Sequence, residues 1–82
     1  MSTKLYVGNL PWVLNDNELK DTFKSHGNVI SAKVVTDKES GRSRGFGFVE
    51  MENENEANSA IKALNGTDFK GRKLVVAAAR AS

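Results

Sequence analysis

The sequence predicts an α+β fold, a split βαβ sandwich in which two helices cover one face of a four-stranded antiparallel sheet. Strand-like and helix-like stretches alternate in the order strand, helix, strand, strand, helix, strand. Each helical stretch has a single apolar side, and two such helices can cover only one face of a sheet. The stretch from residue 44 to 51, meanwhile, sends its aromatic rings to the side that the helices do not need.

The first strand is read from Lys4-Leu5-Tyr6-Val7-Gly8-Asn9-Leu10, β-prone and halted before Pro11. Its period of two sets Leu5 and Val7 on one side, Lys4 and Tyr6 on the other. A helix is expected from Asn15 to Ser25, with Asn15 as N-cap and Glu18 completing a capping box. Leu19, Thr22 and Phe23 line its inner face, Asp16, Lys20, Asp21 and Lys24 are left to water, and Gly27 stops it. Val29 to Thr36 is β-branched and aliphatic, the second strand. The polar run from Asp37 to Ser43 is a loop that feeds the third. Asn53 and Glu56 repeat the capping pattern, and Ala57, Ala60, Ile61 and Leu64 fall at helical spacing up to Asn65-Gly66. Thr67 to Lys70 suggests a short edge hairpin before Gly71. Arg72 to Ala79 reads as the last strand, with Leu74 and Val76 inward and Val75 and Ala77 on the open face.

The third strand, Arg44-Gly45-Phe46-Gly47-Phe48-Val49-Glu50-Met51, organises the rest. Alternation puts Arg44, Phe46, Phe48 and Glu50 on one face and Gly45, Gly47, Val49 and Met51 on the other. Two rings beside a cation make a poor core. They make a good platform, because bases stack on aromatic faces and a cation meets phosphate. Tyr6 shares that exposure, and Leu5, Val7, Val49 and Met51 already fill the inward side. Gly45 and Gly47 read as small inward residues that let a helix approach the sheet. They are not a phosphate loop, since neither G-x-x-x-x-G-K-[ST] nor a complete G-x-G-x-x-G is present.

This octamer resembles the first ribonucleoprotein motif of the RNA-recognition-motif family, K/R-G-F/Y-G/A-F-V-x-F/Y, departing only at Met51. Leu5 to Leu10 resembles the family's second motif, and the likeness runs from Lys4 to about Arg80. Within the family the chain is similar to short single-motif proteins of bacteria and to domains of plant organellar and glycine-rich RNA-binding proteins. The resemblance implies a ferredoxin-like sheet ordered fourth, first, third, second strand, and binding of single-stranded RNA without catalysis. By residue-to-residue carry-over, Tyr6 and Phe48 stack on successive bases, Phe46 packs against sugars and Arg44 contacts phosphate. Lys4, Lys33, Arg42 and Arg80 are further RNA-binding candidates, each equally readable as a solvated charge. Lys33 and Val35 share the parity that faces RNA in the family. Trp12 stays open between packing on the nearby helix and touching RNA.

Composition bounds the remainder. A chain of 82 residues has room for one domain, here 1–82 with its core about 4–80. A formal net charge of +2 is too small to point to nucleic acid by itself, so the distribution must carry that argument. There is no cysteine, hence no disulfide, thiol chemistry or cysteine zinc site. His26 has no evident acid–base partner, and Glu50, Glu52, Glu54 and Glu56 read as a solvated acidic face that discourages RNA. The N-terminus lacks an apolar signal core, and Leu74 to Ala79 is far short of the ~20 residues of a spanning helix. The expectation is a monomer without cofactor or metal, intracellular, with the cytoplasm placed first and organelle or nucleus left open. No glycine-rich or arginine-rich tail is present, so weak binding with limited sequence preference is expected. Three other readings compete: single-stranded DNA binding, a protein-interaction module of the same fold, and a small hydrolase of the acylphosphatase kind. The module would be expected to lose the three rings. The hydrolase would need an Arg in the loop Asn9-Leu10-Pro11-Trp12-Val13, where none occurs.

Overall fold

The computed structural model describes residues 3–11, 14–41 and 43–79, without the side chains of Ser43 and Arg44. Its main sheet is built from β1 (Thr3–Gly8), β2 (Val29–Thr36), β3 (Ser43–Met51) and β6 (Val75–Ala78). Their order is β2-β3-β1-β6, the arrangement that the resemblance implies. β1 lies at the centre, antiparallel to β3 with Tyr6 opposite Phe48, and antiparallel to β6 with Val7 opposite Val76.

The two helices, α1 (Asp16–Lys24) and α2 (Glu54–Leu64), start where their caps say they should. Asn15 Oδ1 accepts the Glu18 N–H at 2.8 Å, and Asn53 Oδ1 accepts the Glu56 N–H at 2.8 Å. The two glutamates then diverge from the expected capping box. The Glu18 carboxylate pairs with Lys70 Nζ at 2.5 Å, far along the chain. One Glu56 oxygen accepts from Asn53 Nδ2 at 2.9 Å, and the other accepts the Asn28 backbone N–H ahead of β2. Glu56 is therefore half-buried and structural, not a solvated acid as the acidic run suggested. Among the described residues no helix is long and apolar enough to cross a membrane.

The core lies between the helices and the inner face of the sheet. Leu5, Val7, Val49 and Met51 from the central strands are fully buried, as are Leu19 and Phe23 from α1 and Ala57 and Ala60 from α2. Leu74 and Val76 point inward as the alternation requires, while Ile61 and Leu64 pack on the core half-buried. Sequence reading overlooked Leu10 and Leu14, loop residues that close the core beyond β1. Gly47 admits α1. A Cβ there would lie 2.5 Å from the Lys33 carbonyl oxygen and 3.2 Å from Leu19 Cδ2. Gly45 does something else: its φ is +86°, and a Cβ would meet little, so conformation and not space selects glycine.

The end of the chain differs from expectation. The run from 72 onward is not one strand, because Arg72–Lys73 (β5) pairs back on Asp68–Phe69 (β4). Lys70 and Gly71, with φ of 49° and 85°, form the tight two-residue turn that such a hairpin needs. Only β6 joins the main sheet.

Both outer strands carry a side-chain cap. Asp16 Oδ1 accepts the Val34 N–H of β2 at 2.7 Å, and Asn65 Oδ1 accepts the Val76 N–H of β6 at 3.0 Å. Asp16 is thus exposed but employed, where the sequence left it to water. β2 also bulges twice, between Val29 and Ser31 and between Val34 and Thr36.

Phe23→Ala should remove about 3–5 kcal/mol of stability, since its ring, projecting from α1, is fully buried in the core. Gly47→Ala should cost about 1–3 kcal/mol, because the obstructing atom is backbone and cannot swing away. Denaturant unfolding of each variant beside the parent measures both.

Candidate nucleic-acid interface

The face of the sheet away from the helices carries three half-buried rings on its two central strands. Tyr6 comes from β1, Phe46 and Phe48 from β3. Their centroids form a near-equilateral triangle: Tyr6–Phe46 5.9 Å, Tyr6–Phe48 6.0 Å and Phe46–Phe48 6.2 Å. Both pairs with Phe48 are edge-on, at 66° and 88°, the geometry that a ring quadrupole favours. The rings shield one another's edges while their upper faces meet water.

The strand registers extend the triangle into two rows. One runs Lys33, Phe48, Tyr6, Ala77 and the other Phe46, Gly8, Val75. Lys33 is exposed beside Phe48, and Val75 is 47% exposed, both as the alternation anticipated. Val35, expected to share the parity of Lys33, is half-buried at the second bulge of β2, where strict alternation lapses. Lys4 sits with Nζ 5.3 Å from the Phe48 centroid, a cation over a ring face, and its backbone lies opposite Glu50. The candidates Tyr6, Phe46, Phe48, Lys4 and Lys33 therefore come together on one surface.

Arg42, Arg80 and Trp12 lie outside the described residues, as does the side chain of Arg44. The backbone of Arg44 belongs to β3. The positive φ of Gly45 interrupts the alternation between Arg44 and Phe46, so the period of two does not carry across that point.

Gly8 is the platform residue that sequence reading missed. It shares the open parity with Tyr6 yet is buried, because the Tyr6 ring lies along the strand on top of it. A Cβ on Gly8 would be 2.7 Å from the Tyr6 hydroxyl oxygen and 2.9 Å from Cε1. The signal was present in the hexamer, where a glycine stands two positions beyond a platform tyrosine and so lies under its ring.

The family model described as RNA recognition motif matches residues 5–75. The protein named RNA-binding protein CP31B, chloroplastic, of Arabidopsis thaliana is 55% identical over 73 residues, which span 89% of this chain and 25% of that protein. The crystal structure of RNA Binding Protein PG1 superposes with a TM-score of 0.93 at 49% identity, covering 98% of this chain and 96% of that one. The structure of Rna15 RRM with bound RNA (GU) gives a TM-score of 0.86 at 28% identity, covering 95% and 83%. The chain spans about a quarter to a third of the length of the first curated relatives that it matches. Matched motif, sheet order and ring-bearing central strands agree: the chain belongs to the RNA recognition motif family.

Proposed function

We propose that the open sheet face binds single-stranded RNA without catalysis. The observation that carries this reading is the triangle of rings at about 6 Å spacing on the face no helix covers, with Lys4 over one of them. Each ring offers a stacking face, and base–aromatic stacking is worth roughly 1–3 kcal/mol per base with little sequence demand. Tyr6 and Phe48 are the stacking residues of this proposal and Phe46 the sugar contact. Arg44 is the phosphate contact, with Lys4, Lys33, Arg42 and Arg80 as supporting cations. Membership of the family and an RNA-bound structural relative support the substrate class. Single-stranded DNA is the second substrate. A purely protein-binding role is disfavoured by retention of all three rings.

The rest of the proposal is a single domain over 1–82 with its core about 4–80, acting as a monomer. The similar proteins do not support the cytoplasmic location expected from the sequence. The Arabidopsis relative is chloroplastic by name, so an organelle is the compartment that the similarity favours.

Phe48→Ala or Tyr6→Ala should weaken RNA binding by about 1–3 kcal/mol. Either should lower stability by less, about 1 kcal/mol, since an aromatic pair contributes only that order. Titration beside thermal melting checks this, and a large melting loss with unchanged binding would reverse the assignment of faces.

Gly8→Ala should leave the melting temperature nearly unchanged, because its obstacle is the free end of a side chain. It should nevertheless lift the Tyr6 ring and weaken RNA binding several-fold, with displaced Tyr6 ring resonances in the NMR spectrum. Retained affinity would show that ring height does not matter.

For the ionic part, affinity should fall with salt at a log–log slope of about −0.7 per phosphate contact, roughly −1.5 to −3 overall. Arg44→Ala should flatten the slope by about 0.7 for every RNA sequence alike, whereas Phe48→Ala should leave it nearly as it was. An untouched slope in Arg44→Ala would remove that residue from the phosphate contacts.

A further inference from the structure

The β4–β5 hairpin is fastened to the end of the platform, and its charges are unevenly used. Asn9 directly follows Gly8 and holds a φ of 58°. Its side-chain amide faces the hairpin: Nδ2 donates to the Lys73 carbonyl at 2.7 Å, and Oδ1 accepts from Arg72 Nη1 at 3.2 Å. Lys70 is neutralised by Glu18 at 2.5 Å. Arg72 and Lys73 are exposed, and among the described residues neither has a carboxylate at ion-pair distance. The partner Arg72 does have is neutral, so the guanidinium keeps its full charge while Asn9 fixes its orientation.

The location gives these cations a use. Lys73 precedes by two residues Val75, which lies opposite Gly8 in the row that ends at Phe46. A strand laid over Tyr6 and Phe46 and continuing past Gly8 and Val75 would meet Arg72 and Lys73 next. We propose that Arg72 and Lys73, oriented by Asn9, form a phosphate-binding rim that takes the RNA backbone as it leaves the rings at the Gly8–Val75 end. This rests on the RNA-binding reading above. The guanidinium still has free donors in a planar fork, which suits a phosphate group. A fork already held in place loses less entropy on binding than a free side chain would. The sequence concealed the rim because the run from Arg72 read as one continuous strand, and only the hairpin brings residue 72 to residue 9.

The test compares the parent with the Arg72→Gln/Lys73→Gln variant on two unstructured RNAs. One is about four nucleotides long, the reach of the ring platform, and the other about nine, long enough to pass the rim. Binding is measured across a salt series. On the long RNA the variant should bind about 3–10-fold more weakly, with a slope shallower by about 0.7–1.4, two contacts' worth. On the short RNA it should match the parent. The charge-keeping variant Arg72→Lys/Lys73→Arg should recover the slope, which a change in hairpin packing alone would not restore. An unchanged slope on the long RNA, or equal losses on both lengths, would overturn the rim and leave the platform standing. Failure of the parent to bind either RNA would instead overturn the RNA reading, and the rim with it.

Discussion

The antiparallel register of β1 against β3, with Leu5 opposite Val49 and Tyr6 opposite Phe48, decides which side of this sheet is core and which is surface. Because side chains alternate with a period of two, a slip by one residue would send both Leu5 and Val7 to water and the rings inward. The inner face tolerates no such slip. Leu5, Val7, Val49 and Met51 are all fully buried there, and Gly47 leaves room only for the Leu19 side chain of α1. Hydrophobic burial on one face thus holds the rings in register on the other. The three aromatics need no pocket of their own to be positioned.

Three rings facing water are a burden that the chain distributes. Each is half-buried, covered at its edges by the other two, and Tyr6 lies down on a strand position without a side chain. The arrangement removes much of the apolar area from solvent and leaves flat faces open, which is what stacking requires. Lys4 over Phe48 adds a cation whose long stem covers more of that ring. Platform and core are built from the same two strands, and only the alternation of side chains keeps the one face apart from the other.

Much of this was legible in the sequence, for reasons that are local. Asn15 and Asn53 announced both helices, because an N-cap acts within three residues of itself, and period-two alternation assigned Tyr6, Phe46, Phe48 and Val75 correctly. What failed were inferences that local pattern cannot carry. Glu18 and Glu56 fit the same capping box, but the Glu18 carboxylate pairs with Lys70, and Glu56 divides its oxygens between the Asn53 side chain and Asn28, remote in sequence. Gly45 and Gly47 look alike in the octamer. One needs a backbone angle and the other needs empty space, and only the neighbouring strand and helix tell them apart. The split of the last strand depended on Lys70, a non-glycine residue at positive φ, for which its composition gives no cue.

The side-chain caps on the two outer strands have a bearing on crowding. An open sheet normally exposes a row of unused donors at each side, and a neighbouring chain can extend it there. Here Asp16 takes a mid-strand donor of β2 and Asn65 one of β6, and both acceptors are anchored at helix ends. An incoming strand would have to displace a formed bond at the middle of either margin, and β2 is further distorted by two bulges. Many copies brought close together on one long polymer would therefore touch through loops and helices, each keeping its own four strands, instead of fusing into a shared ribbon.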